Sequence, residues 1–212
     1  MARRQAKTPR PRTLAIEQVR TGLLDGTPVL VRPIRPDDKS LLVGGFQRLS
    51  EESRLRRFLA PISELSQEQL RYLTEIDYVD HFAWVALLAD DPSLGIGVGR
   101  YIRIRDEPDV AEVAITIVDD YQGKGLGTLL LGLLAATARV AGITKFRAYV
   151  LEDNLPMRTI LNDLGVDQRH DAPGVLVMDV PLDPERLPDS AAGRTLRAIA
   201  SRMIPAKAMI EL

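Results

Sequence analysis

A glycine-rich turn between an apolar strand and a leucine-rich helix is the feature that most restricts how this chain of 212 residues can fold. Residues 113–118 form an apolar, β-branched run, and Gly123, Gly125 and Gly127 follow at alternate positions before a segment rich in leucine and alanine. This pattern predicts a strand, a turn and the start of a helix. Backbone N–H groups at a helix N-terminus lack partners within the helix, and glycines allow a ligand to approach closely. The sequence therefore predicts a phosphate or pyrophosphate site at this turn.

Before the turn, the sequence predicts helices that lead into an antiparallel meander. Three apolar or alternating runs are separated by short polar turns, at residues 90–93 and 107–109, and short connections favour antiparallel neighbours. Residues able to cap a helix mark the expected helix starts. The predicted elements are a short helix over 14–24, a strand over 28–34, helices from Asp37 or Ser40, from Ser50 and from Ser66, and strands over 82–89, 94–104 and 110–118.

After the turn, a helix over 124–141 crosses over to a strand over 145–151, and these lengths predict a parallel βαβ unit. Asn154 is expected to cap a further helix that ends at Gly165, and Val166 and then residues 174–180 supply the last strand or strands. The fold class is therefore mixed α/β, with a mostly antiparallel sheet, one parallel βαβ unit and flanking helices. The predicted organisation is a basic tail and short helix over 1–25, a folded domain over 26–182, and a linker with an amphipathic helix over 183–212.

Composition removes several classes of function. The chain has no cysteine, which excludes disulfides, zinc–thiolate sites and a cysteine nucleophile and is compatible with a reducing cytoplasm. The net charge of −1 argues against a dedicated nucleic-acid binder, and the longest apolar run, 129–138, is shorter than the ~20 residues of a membrane span. Residues 1–12 predict a solvated basic tail, with an electrostatic contact to nucleic acid or an acidic partner as the alternative. His81 and His170 have no metal-ligand spacing, so no metal site is predicted.

The position of the turn distinguishes between phosphate-binding folds. A dinucleotide fold places Gly-x-Gly-x-x-Gly after its first strand, whereas this turn comes late and spaces its glycines at alternate positions. A Walker loop needs Ser or Thr directly after Gly-Lys, and here Lys124 is followed by Gly125. Both of these interpretations fail.

The segment Gln122–Gly127 resembles the Gln/Arg-x-x-Gly-x-Gly/Ala signature of the GCN5-related N-acetyltransferases, the GNAT superfamily. It stands between a β-branched strand and a helix, as in that family, and residues 154–165 are similar to a second family segment. The resemblance covers roughly 29–180. Within the superfamily, residues 54–78 and 111–127 look like the catalytic domain of mycobacterial-type protein lysine acetyltransferases.

The resemblance implies acetyl-CoA as co-substrate and gives roles to particular residues. Main-chain groups at Val118 would pair with the pantetheine arm and polarise the thioester carbonyl, and Asn154 is either a cofactor contact or a helix cap. Lys124 would add charge or remain solvent-exposed. The pyrophosphate would be held by the backbone N–H groups of Gln122, Gly123, Lys124, Gly125, Leu126, Gly127 and Thr128.

Glu112 is the candidate general base, because an attacking lysine amine must lose a proton from a group with a pKa of about 10.4. It is the lone acid in the strand 110–118, it matches the glutamate base of the lysine acetyltransferases, and it shares a strand face with Thr116 and Val118. We expect it to be partly withdrawn from water. The alternative is a surface glutamate paired with an arginine. The family's usual tyrosine acid is replaced by Leu161, so no general acid is assigned.

The sequence thus predicts an acetyl-CoA-dependent N-acetyltransferase that acts on a protein lysine. Two alternatives stay open: acetylation of a small-molecule amine, and an acyl-CoA-binding regulatory module without turnover. The acceptor, the acyl-chain preference and the oligomeric state are not fixed by the sequence, and a homodimer is among the arrangements left open.

Overall fold

An eight-stranded sheet runs through the computed structural model, which describes residues 18–203. The sheet carries α1–α3 on one face and α4 on the other. The strands are β1 (Val19–Gly22), β2 (Pro28–Pro33), β3 (His81–Leu88), β4 (Gly95–Ile104), β5 (Glu107–Ile117), β6 (Lys145–Leu151), β7 (Gln168–Ala172) and β8 (Val175–Pro181). The helices are α1 (Lys39–Gln47), α2 (Glu51–Phe58), α3 (Gln67–Thr74), α4 (Leu126–Val140), α5 (Leu155–Asp163) and α6 (Ala191–Met203).

The strand order is β1-β2-β3-β4-β5-β6-β8-β7, and β5–β6 is the parallel pair among antiparallel neighbours. Helix α4 makes the crossover between these two strands, as the βαβ prediction requires. The β5–β6 ladder joins three residue pairs, 110–112 with 145–147, and no further pair is recorded between these strands in the described chain. The two strands therefore separate toward the end of β5, directly before the glycine-rich turn.

The predicted helix over 14–24 is wrong where the structure describes it. Val19–Gly22 instead forms β1, which pairs antiparallel with β2 and turns back through Gly26, whose φ is +84°. The Thr27 N–H donates to the Asp25 carboxylate (3.0 Å) within this turn. The sequence of 19–22 has little to bury as a helix, and pairing with β2 satisfies its backbone groups. Residues 14–17 and the basic tail 1–12 lie outside the described residues.

Of the three helix caps predicted before the glycine-rich turn, two are confirmed. The Ser50 hydroxyl accepts from the Ser53 N–H at the start of α2, and Ser66 forms a reciprocal capping box with Gln69 at the start of α3. The cap predicted for α1 is wrong, because neither Asp37 nor Ser40 is the N-cap residue of this helix. A short 3₁₀ turn over Pro36–Asp38 leads into α1.

Helix α4 is packed on two sides. One side lies on β4, where a Cβ on Gly99 would stand 3.0 Å from Leu134 Cδ1. The other side faces α6, and a Cβ on Gly132 would collide with Ile199 Cδ1, so the two helices approach closely. Among the described helices, none is long and apolar enough to cross a membrane.

Candidate active site

The turn between β5 and α4 presents a run of unpaired backbone N–H groups. In the described chain, no hydrogen bond uses the N–H of any residue from Gly123 to Thr128, whereas the Gln122 N–H donates to Asp119 O (3.1 Å) and the Leu129 N–H to Gly125 O (3.1 Å). These six amides belong to the turn and to the first turn of α4. Their partial positive charge and the helix dipole favour an anion at this point.

Two glycines of the turn have backbone conformations that L-residues avoid. Gly123 has φ +71° and Gly125 has φ +84°, and both lie in the left-handed region. A Cβ on Gly123 would meet no atom within 4 Å, so this glycine is required by its φ and leaves its surroundings open to a ligand. Gly127 lies in the first turn of α4 and lines the cavity described below.

Polar side chains hold the turn against the start of α2. The Asp119 carboxylate accepts hydrogen bonds from the Ser50 N–H (3.0 Å), the Ser50 hydroxyl (2.8 Å) and the Ser53 hydroxyl (2.8 Å). Burial raises the pKa of Asp119, but these hydrogen bonds outweigh it and the pKa is lowered overall. The Gln122 amide donates to Ser53 Oγ and to Ile117 O, both at 3.1 Å. The side chain of Gln122 therefore anchors the turn, and the sequence interpretation missed Asp119 and Ser53.

The β1–β2 hairpin also contacts the turn. The Leu24 N–H donates to Lys124 O (3.0 Å), and Leu24 Cγ lies 3.1 Å from where a Cβ of Gly125 would be. Lys124 Nζ pairs with the Asp25 carboxylate (2.9 Å) and lies 5.2 Å from the centre of the Tyr121 ring. The charge of Lys124 is thus already paired within the chain, although its side chain stays near the surface.

The separation of β5 from β6 exposes main-chain groups of β5. The Val118 N–H donates to Ile96 O of β4 (3.0 Å), and the Val118 carbonyl accepts from the Tyr121 N–H (2.8 Å). The Val118 main chain therefore faces β4 in this structure, and its expected pairing with the pantetheine arm stays a prediction. Hydrogen-bonding direction alternates along a strand, so Ile115 and Ile117 face the gap instead. The Ile117 carbonyl is used by Gln122, which leaves the N–H of Ile117 and both groups of Ile115 at the open edge.

A cavity of about 450 Å³ connects this open edge to the turn. Of the predicted cofactor residues, Gln122, Gly123, Gly125, Gly127, Thr128 and Asn154 line it. The side chains of Lys124 and Leu126 do not, and Leu126 is fully buried, so these two residues can contribute only their N–H groups. The cavity also takes in Leu24, Ser53, Arg56, Arg57, Ile115 and Ile117, which the sequence interpretation did not assign.

Glu112 lines a second cavity of about 70 Å³, which shares five residues with the first: Arg56, Arg57, Ile115, Asn154 and Met157. The expected partial withdrawal of Glu112 from water is wrong for this structure, where its side chain is exposed. No ion pair joins Glu112 to an arginine in the described chain, so the surface-pair alternative is not seen either. Arg57 is close enough for the negative charge of Glu112 to act on its pKa, although burial lowers that pKa more strongly.

Asn154 serves as a helix cap and also faces the site. Its Oδ1 accepts from the Met157 N–H (3.3 Å) at the start of α5, and the residue lines both cavities. Leu161, at the position of the usual tyrosine, is buried beside Glu112 and supplies no acid. Tyr149 of β6 lines the same cavity, and it had no place in the sequence interpretation because it precedes the family segment.

The residues present fit the acyl donor that the sequence predicts. A pyrophosphate needs several convergent N–H donors without steric obstruction, and the turn supplies six such amides and two left-handed glycines. An extended amide-containing arm needs an unpaired strand edge of about its own length, and β5 supplies one beyond its three pairs with β6. The cavity is within the usual size range of ligand sites, about 300–1,000 Å³. No cluster of side chains within residues 18–203 could hold a metal ion.

Fold and site together define a GNAT acetyltransferase domain, and the model of that family, described as "Acetyltransferase (GNAT) domain", matches residues 29–167. The chain belongs to this family, whose acyl donor is acetyl-CoA. Among curated proteins it is similar to Acetyltransferase Pat of Mycolicibacterium smegmatis, with 37% identity over 169 residues that are 79% of this chain and 48% of that protein. It therefore spans about half the length of Pat.

Two further comparisons agree. Acetyltransferase PA5475 of Pseudomonas aeruginosa is 39% identical over 147 residues, which are 68% of this chain and 78% of that protein. The crystal structure of the GNAT domain of S. lividans PAT superposes with a TM-score of 0.72 at 34% identity, covering 77% of this chain and 96% of that domain. The predicted family, fold class and acyl donor are confirmed.

Proposed function

We propose that the chain transfers the acetyl group of acetyl-CoA to the ε-amino group of a protein lysine, with Glu112 as general base. The observation that carries this proposal is the junction of two spaces: the cavity beside Glu112 shares five residues with the cofactor cavity. The Glu112 carboxylate, which is part of neither the glycine-rich turn nor the core of the sheet, therefore lies next to the place where the thioester of a bound donor would end.

On the cofactor side, acetyl-CoA supplies the thioester carbonyl that an amine attacks. The six amides from Gly123 to Thr128 would hold its pyrophosphate, and the main chain of Ile115 and the N–H of Ile117 would orient its pantetheine arm. A donor fixed at both ends presents its reactive group in one place, which reduces the entropy lost on reaching the transition state.

On the acceptor side, Glu112 would accept a proton from the incoming ammonium group. Its exposure supports access by an acceptor from solvent, and binding of that acceptor would remove water from the carboxylate. Leu59, which lines the same cavity, is an apolar side chain that is 40% exposed. An apolar group at the mouth of the site suits a macromolecular surface better than a small polar amine.

The test compares Glu112→Gln with wild type on a panel of lysine-containing proteins and small amines, with acetylation read by mass spectrometry. We expect kcat to fall by about 10²- to 10⁴-fold, the usual contribution of a general base, with acetyl-CoA affinity retained. Glu64→Gln is the matched control, because Glu64 is exposed and lines neither cavity. Unchanged turnover in Glu112→Gln would remove the base from the proposal, and transfer to small amines alone would remove the protein acceptor.

A further inference from the structure

A third cavity lies between α1–α3 and the sheet, beyond the cofactor groove. Its volume is about 60 Å³, room for about four water molecules by the same measure. Most of its wall is apolar, with Phe46, Leu49 and Phe58 among the lining side chains. Two arginines, Arg57 and Arg100, stand in this otherwise apolar wall.

Neither arginine forms an ion pair among the described residues. In residues 18–203, no ion pair or hydrogen bond to a carboxylate involves Arg57 or Arg100. The Arg57 guanidinium makes no hydrogen bond there and lies 4.9 Å from the centre of the Phe58 ring. Arg100 is 3% exposed, and its Nε has no partner. Arg100 is a buried cation without a counter-charge, which is costly. Arg57 is half-buried and adds a second positive charge, which Glu112 influences without forming an ion pair, so this cavity favours an anion.

The neighbours of Arg100 leave its charge uncompensated. One guanidinium nitrogen donates to Leu73 O (3.2 Å), and the other lies 2.8 Å from His81 Nε2. Burial, with a further contribution from Arg100, lowers the pKa of His81 to about 4, so His81 is neutral at pH 7 and accepts this hydrogen bond. The pKa of Arg100 is lowered by burial to about 9, which still leaves it charged at pH 7.

The cavity adjoins the cofactor groove. Thr116 lines both, and Arg57 lines the cofactor groove, the cavity beside Glu112 and this third cavity. Thr116 lies between Ile115 and Ile117, the residues proposed to orient the pantetheine arm, and its buried Oγ1 has no hydrogen-bond partner. A short extension of the acyl group past Thr116 would therefore enter the space beside Arg57 and Arg100.

We propose that Arg57 and Arg100 form a binding site for a carboxylate at the end of a short acyl chain, so that the enzyme also takes dicarboxylic acyl-CoA thioesters such as malonyl-CoA. This inference rests on the proposed function, because it needs a CoA thioester in the groove. The apolar wall would contact the methylene group, and the guanidinium groups would bind the carboxylate. In transfer, the amine nitrogen bonds to the thioester carbon, the carbon–sulfur bond breaks, CoA leaves as its thiolate and the amine proton passes to Glu112. The terminal carboxylate is unchanged.

The experiment measures binding of three thioesters to the full chain by calorimetry: acetyl-CoA, malonyl-CoA and isovaleryl-CoA, the neutral isostere of malonyl-CoA. For wild type we expect malonyl-CoA to bind about 10- to 100-fold more tightly than isovaleryl-CoA, as charge-assisted hydrogen bonds allow. In Arg57→Met the ratio should fall toward one. Arg100→Met should show the same loss of preference. Because Arg100 is buried, the fold of Arg100→Met is checked by circular dichroism. If Arg100→Met does not fold, the result for Arg57→Met decides alone.

Arg54→Met is the matched control. Arg54 lies on the same helix, stacks on Phe46 at 4.6 Å from the ring centre and lines none of the three cavities, so its ratio should equal that of wild type. A wild-type ratio of one or less, or a ratio unchanged in Arg57→Met, overturns the inference. If acetyl-CoA still binds when the inference is overturned, the proposed function is unaffected. Failure of all three thioesters to bind overturns both.

Discussion

The contact between Asp119 and the start of α2 yields a prediction that joins stability to cofactor binding. Asp119→Ala removes a charged acceptor of three hydrogen bonds, from the Ser50 N–H and from the hydroxyls of Ser50 and Ser53. A hydrogen bond to a charged group contributes about 1.5–3 kcal/mol. Ser50 is exposed, so its freed donors can bond to water and the losses do not add. We expect the free energy of unfolding to fall by about 2 kcal/mol.

The same substitution should weaken use of acetyl-CoA, because Asp119 fixes the turn that carries the six amides. We expect kcat/KM for acetyl-CoA to fall by about 10- to 100-fold, as displacement of a binding group by about an ångström does. Urea unfolding and steady-state kinetics measure the two effects. Asp120→Ala is the control, since Asp120 is exposed and makes no side-chain hydrogen bond in the described chain. If the two variants agree within about 0.5 kcal/mol and in KM, the anchoring role of Asp119 is refuted.

Two further predictions concern the same turn. The folded-state pKa of Asp119 is lowered, so its stabilising contribution is present above its ordinary pKa of 3.8 and is lost as the pH falls through the folded value. The loss of stability in Asp119→Asn should therefore be constant from pH 7 to 5 and disappear at lower pH. A loss of stability that persists in strong acid would contradict this. Gly125→Ala should lower the free energy of unfolding by about 1–2 kcal/mol, because φ there is +84° and the new Cβ would lie 3.1 Å from Leu24. Gly44→Ala is the control: Gly44 lies in a helix, and its new Cβ would have no atom within 4 Å, so the change should be neutral or stabilising. Thermal melts of the two variants measure the difference.

Local patterns predicted most of the elements because their causes are local. The strand, turn and helix around Gly123 and Gly125 follow from β-branching, glycine conformation and leucine content within about 25 residues. The caps at Ser50 and Ser66 need information from only three residues further along. The helix over 14–24 failed for the opposite reason, since the pairing that makes β1 a strand comes from another segment, β2.

The site was predictable in part. The amides of the turn were found because glycine spacing marks them, whereas the role given to Val118 needed the register of β4 against β5, which the sequence does not state. Arg57 and Asp119 were not assigned for a related reason. They are 62 residues apart along the chain, and only the packing of α2 on the end of β5 brings them to one site.

The three-pair seam between β5 and β6 has a consequence for how the chain holds together. One side of the sheet, β1–β5, and the other, β6–β8, share few backbone hydrogen bonds at their boundary, and α4 forms the covalent link across it. A donor lying along Ile115 and Ile117 would act as a short additional strand between the two sides. Because a ligand that binds only the folded state stabilises it by an amount that grows with concentration, the rigidity of this seam would follow the supply of acyl-CoA. The metabolic state of the cell would then determine how firmly the two sides of the protein are joined.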